Sequence, residues 1–143
     1  MLLKVSGVVV LIIGLALVTS ACYGFYGADN VRQTLASAMS SKGLGFDEGK
    51  WALHYHAYLA AWFVAAMFSI LGGLLMLSKR VMGLACFAIG ISIILIYPVI
   101  LKIFGINTYQ LESVNYPTVA ILVGLLCITL WEIYYYLRRP ARR

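Results

Sequence analysis

WALHYHAYLAAWFVAAMFSILGGLLMLS, residues 51–78, runs for 28 residues without a formal charge. A helix rises about 1.5 Å per residue and needs roughly 20 apolar residues to cross the hydrocarbon core, so this stretch predicts a membrane span. Within it Ala57, Ala61, Ala65, Ser69 and Gly73 place a small residue at every fourth position. Lipid tails are as apolar as the helices they surround, so helix association relies on close van der Waals approach, which such a row permits. The row predicts that this helix is the buried centre of a bundle or of an oligomer contact.

Working outward, residues 5–28, 81–101 and 113–131 are also free of charge. The chain is 63% hydrophobic and 11% charged, against about a quarter charged in soluble domains. The expected fold is all-α: a polytopic membrane protein forming an up-down four-helix transmembrane bundle. One domain, 1–143, holds spans at about 5–27, 51–77, 81–103 and 117–137, and too little chain remains for a separate water-soluble domain.

With four spans both termini share a side. That side holds Lys4, Lys79, Arg80, Arg138, Arg139, Arg142 and Arg143, whereas the other has Arg32, Lys42, Lys50 and Lys102, matched by Asp29, Asp47, Glu48 and Glu112. The positive-inside rule then puts both termini in the cytoplasm, in a multi-pass protein of the inner (plasma) membrane. The net charge of +6 is therefore read as a topology signal resting on anionic headgroups, and no nucleic-acid partner is expected. Thr19-Ser20-Ala21-Cys22 has small residues where a lipid-modified Cys would want them, but Thr19 replaces the usual aliphatic residue and the apolar run continues through Tyr23, Phe25 and Tyr26. The first span is expected to be retained.

Each remaining span carries its own small residues. Gly7, Gly14 and Ala21 recur at seven-residue intervals in the first, Gly83 and Gly90 mark the third, and Ala120 with Gly124 form a single pair in the fourth. Residues 28–50 form the one sizeable loop, on the outer side. Val31, Leu35 and Met39 recur every four residues behind Asp29-Asn30, which predicts a short amphipathic helix on the membrane surface, ended by Gly43 and Gly45. Asp47 suits the N-cap of the second span, with Phe46 and Trp51 as a hydrophobic staple across it. Ser78-Lys79-Arg80 is a turn too short for anything but an antiparallel hairpin. Pro98 predicts a mild kink near the outer end of the third span, residues 105–116 a short polar outer loop, and Pro117 the first helical position of the fourth.

Few residues carry chemistry. His54 and His56 are the only histidines; two positions apart on a helix point about 200° apart, so they cannot share one metal and are expected to make interfacial hydrogen bonds. Glu132 is the sole acid inside a hydrophobic span, a proton or ion site by default, but it lies close enough to the inner end to pair with Lys4, Lys79, Arg80 or the tail arginines. Lys102 closes the third span, where its stem can snorkel to the interface. Cys22, Cys86 and Cys127 show no CxxC and read as small packing residues. No Ser-His-Asp set, paired intramembrane carboxylates or Gly-rich phosphate loop is present, so neither catalysis nor a cofactor or metal is expected.

These residues point to a small non-enzymatic membrane protein acting through helix–helix contacts, with the bilayer and either another membrane protein or itself as partners. It would serve as an accessory or scaffold subunit, a homo-oligomer or an immunity-type binding protein. The alternative is a small oligomeric proton- or cation-coupled transporter or channel using Glu132.

Overall fold

A computed structural model of the chain describes residues 2–103 and 116–138, with side chains for 3–100 and 119–138. All regular structure among them is helical: α1 Leu2–Ser41, α2 Glu48–Leu77, α3 Met82–Ile103 and α4 Tyr116–Arg138. Each is long and apolar enough to cross a membrane. The expected loop at 105–116 lies, apart from Tyr116, outside the described residues, as does the tail beyond Arg138.

The largest departure from expectation is α1. The segment 28–41 is helical, but as an unbroken continuation of the first span and not as a separate surface helix. Forty residues make a rod of about 60 Å, roughly twice the hydrocarbon thickness. Physical reasons favour continuity. A break near Gly27 would leave four carbonyls and four N–H groups without partners, whereas one glycine inside a helix costs only about 1 kcal/mol. Val31 and Leu35 are half-buried and Met39 is buried, so the apolar stripe that suggested a surface helix is partly covered by protein.

Gly43 ends the rod. At φ 70° it takes the left-handed conformation that suits glycine, and its N–H donates to the Ser40 carbonyl while that of Leu44 donates to Met39. Gly45 lies beyond this cap. Asp47 then starts α2 as expected, its side chain accepting from the Lys50 N–H at 3.0 Å, with the Phe46 and Trp51 rings 6.3 Å apart. The turn after α2 repeats the cap of α1 with a residue less suited to it: Lys79 has φ 60°, and the Lys79 and Arg80 N–H groups donate to Met76 and Leu75.

Packing follows chain order, α1 on α2, α2 on α3, and α3 on α4. Of the most apolar stretch of α2, 39% is buried, against 6% for that of α4. The core joins Leu3 and Val10 of α1, Met76 of α2, and Leu84, Phe87 and Ile91 of α3, with Leu122, Leu125, Leu126, Ile133 and Tyr136 of α4 against them. Pro98 sits inside α3 without interrupting it.

Candidate functional site

Three regions hold the residues singled out in the sequence, and the first is the pair of glycine seams that flank α2. A Cβ placed on Gly73 would fall 2.9 Å from the Gly7 carbonyl oxygen, and one on Gly7 would fall 3.0 Å from that of Gly73. Gly14 meets Ile70 and Ser69, and Gly24 meets Leu59, so the two helices run in opposite directions along most of α2. On the other flank a Cβ on Gly72 would fall 2.8 Å from the Gly83 carbonyl oxygen, and one on Gly90 would fall 2.9 Å from that of Ala65. Main chains this close leave no room for a methyl group, the arrangement that small residues permit in lipid.

Ala21, Ala65 and Ser69 are buried in this region, and the Ser69 hydroxyl donates to the Ala65 carbonyl at 2.9 Å. Ala57 and Ala61 are only half-buried. Gly72 was not anticipated. A helix between two neighbours needs two small-residue rows about 100° apart, and the adjacent glycines Gly72 and Gly73 were the signal for it. The Ala120 and Gly124 pair departs from expectation: Ala120 is exposed, and a Cβ on Gly124 would meet no described atom within 4 Å. The pair lies on the side of α4 that α3 does not cover.

The second region surrounds the start of α2. Trp51 stacks on Tyr55 with ring centres 4.9 Å apart, and the Tyr55 hydroxyl donates to the Gly24 carbonyl at 3.0 Å. His56 is exposed, lies 6.1 Å from the Phe25 ring, and brings Nδ1 to 2.7 Å from the Ala52 carbonyl. A carbonyl can only accept, so Nδ1 is the donor in this contact. His54 faces elsewhere: its Nδ1 is enclosed without a hydrogen bond among the described residues, while its carbonyl accepts from Tyr97 at 3.3 Å. The histidines are thus kept apart, and no group of three metal-ligating side chains occurs among the described residues.

Arg32 ties the extension of α1 to this region, reaching Glu48 at 2.9 Å and Asp29 at 3.7 Å. Sequence reading did not pair these residues because it placed Arg32 on a separate helix. Asp47 also pairs with Lys50 at 3.5 Å, and the Lys50 backbone N–H holds its carboxyl below the usual carboxylate range.

The third region is the end of α4. Glu132 is partly buried and makes no hydrogen bond or ion pair among the described residues, so the expected pairing with Lys4, Lys79 or Arg80 does not form, while that with the tail arginines Arg139, Arg142 and Arg143 lies outside the described residues. Arg138 instead lies over the Tyr134 ring, 4.6 Å from its centre. The Trp131 and Tyr134 rings lie 6.2 Å apart and those of Tyr135 and Tyr136 6.0 Å apart. Lys102 occupies the last turn of α3, and its side chain is outside the described set. Cys22, Cys86 and Cys127 are all free thiols.

Between α3 and α4 an open groove of about 440 Å³ is lined by Ile93, Ile96, Tyr97, Leu126 and Leu130, among other residues. Its walls are hydrocarbon with few polar atoms, suited to apolar contact and without the converging polar groups that a reaction needs. No protein-family model, no curated protein and no solved structure matches this chain.

Proposed function

We propose that the protein is a small non-enzymatic subunit of the inner membrane, an up-down bundle with both termini cytoplasmic, that works by presenting helix surfaces to another membrane protein. The observation that carries this reading is the division of labour among the helices. α1, α2 and α3 are joined by main-chain contacts at Gly7, Gly73, Gly72 and Gly83, whereas α4 is covered on one side alone and turns Ala120 and Gly124 outward. A helix that spends its small residues on the outside has a surface suited to a further helix. The charge bias of seven basic residues against four supports the orientation.

Purification in mild detergent from native membranes, with identification of co-purifying chains, tests this. A stoichiometric larger partner is the expected result. A lone symmetric assembly would favour a homo-oligomer instead.

A second reading, a proton- or cation-coupled transporter, is favoured by one observation: Glu132 lacks an ion-pair partner among the described residues. An acid in a span without a counter-charge is a candidate ion site. Flux measurements separate the two readings.

A further inference from the structure

The start of α1 and the turn between α2 and α3 form a basic end of the molecule. Leu3 is buried with Met76 and Leu84, and a Cβ on Gly7 would fall 3.0 Å from the Leu77 backbone nitrogen, so the first turns of α1 run beside the end of α2. Lys4 lies one turn before Gly7 and the two helices are antiparallel, which sets it level with Lys79 and Arg80. All three side chains are exposed, and none makes a hydrogen bond or ion pair among the described residues. Asp29, Asp47 and Glu48 stand at the opposite end of the α1–α2 pair. Lys79 takes φ 60°, a conformation that suits glycine and disfavours a residue with a Cβ. Glycine would turn the chain more easily there, whereas lysine adds a charge.

Three like charges gathered without an acid repel one another, and the positive ends of α1 and α3, which both begin here, add to the same field. An anion among them relieves that repulsion. A phosphate suits the place because its oxygens accept equally from lysine, from arginine and from the free N–H groups of a helix start. A phospholipid brings such a phosphate together with hydrocarbon, and Val5 and Met82 at this end are 57% and 73% exposed. The bases stand where the apolar spans stop, the depth at which headgroups begin. We propose that Lys4, Lys79 and Arg80 form a binding site for the phosphate headgroup of an anionic phospholipid, held between the start of α1 and the α2–α3 turn. The site does not depend on the accessory-subunit reading. The orientation proposed above turns it toward the cytoplasmic leaflet, where anionic lipid is concentrated. A discrete site differs from a general attraction of the basic tail in being saturable and in surviving the loss of Arg139, Arg142 and Arg143.

The purified full chain in a neutral detergent, titrated with phosphatidylglycerol and followed by native mass spectrometry, should take up a single lipid per chain in a saturable way. Phosphatidylcholine, which has the same phosphate but no net charge, should bind at least about fivefold more weakly. Inorganic phosphate at matched concentration should leave lipid occupancy within about twofold, and displacement by it would assign the bases to a soluble anion and overturn the proposal. Lys79→Gly removes a base and relaxes the turn, so it should weaken binding about fivefold while thermal stability holds or rises. Lys4→Gln and Arg80→Gln should each cost a similar factor. Replacing Arg139, Arg142 and Arg143 together by Gln should change binding by less than about twofold. Equal binding of both lipids, or unchanged binding in Lys79→Gly and Lys4→Gln, overturns the proposal. An equal loss in the tail variant also overturns it, by showing a diffuse basic surface. Because the titration uses the isolated chain, its outcome is separate from whether a protein partner co-purifies.

Discussion

Gly83 sets its backbone directly against the carbonyl of Gly72, so α2 and α3 meet main chain to main chain just beyond their shared turn. A methyl group at position 83 would have to enter space held by that carbonyl and by Met76, and neither helix can yield without opening the hairpin. Gly83→Ala should therefore destabilise the protein by about 1 to 3 kcal/mol, the usual range for overpacking a close contact. Gly124→Ala and Gly27→Ala should behave in the opposite way, since neither added Cβ meets a described atom within 4 Å. Replacing a helical glycine by alanine in open space gains up to about 1 kcal/mol of helix propensity. Unfolding in detergent compares the three variants, and equal effects from all of them would contradict the packing described here.

The continuity of α1 has a direct metric. Spin labels at Ser6 and Ser40 on an unbroken helix lie about 51 Å apart along the axis, which pulsed dipolar spectroscopy resolves. If residues 28–41 turned to lie on the membrane surface, the separation would shorten by many ångströms. A distribution centred well below the rod length would restore the bent arrangement that the sequence suggested.

The start of α2 should loosen at low pH. The Lys50 N–H stabilises the ionised form of Asp47, so its carboxyl titrates lower in the folded helix than the unfolded value of about 3.9. A lowered folded pKa gives stability that is fully present above the unfolded value and is lost as pH falls through the folded one. Amide exchange at Gly49 and Lys50, corrected for its intrinsic pH dependence, should accelerate across that acid window. Asp47→Asn, which retains a capping oxygen but not the charge, should remove the pH dependence.

Much of this molecule could be read from charge-free runs and helix-end chemistry. Residues 51–78 announced α2, and Asp47 with Phe46 and Trp51 announced where it starts, because an N-cap and its staple are local patterns. α1 was harder: Asp29 and Arg32 mark where lipid must end, but hydropathy says nothing of where the helix ends. The stripe of Val31, Leu35 and Met39 has the same period whether the helix lies on a membrane or continues upright. Ala120 and Gly124 show the complementary difficulty, since spacing reveals a small-residue row without revealing which way it faces. Glu132 stood near several bases in sequence, yet Arg138 went to the ring of Tyr134, a choice made by side-chain geometry one turn of helix away.

The proposed orientation rests on the basic residues. With both termini cytoplasmic, a cysteine at position 41 should react with a membrane-impermeant reagent added from outside, and one at position 79 should be protected until the membrane is opened. Background variants lacking Cys22, Cys86 and Cys127 are needed because all three thiols are free. Labelling of position 79 from the outside would invert the topology and place Glu132 near the outer surface.

Glu132 offers the sharpest division between an assembling protein and a transporting one. No described base neutralises it, which leaves Arg139, Arg142 and Arg143 beyond the described residues, a partner, a headgroup or water to balance its charge, and these alternatives respond differently to Glu132→Gln. In an assembling protein the amide keeps the size and hydrogen-bonding capacity of the side chain, so the bundle itself should fold as before. In a transporting protein the bundle should again fold, but the lone acid within the spans is gone and coupled movement stops. Liposomes containing the purified wild type or the variant, under an imposed pH gradient, distinguish the two. The expected result is no flux above empty liposomes for either protein. Reproducible wild-type flux that vanishes in a folded Glu132→Gln variant would establish the transporter, because a docking surface has no means of moving an ion in the absence of its partner.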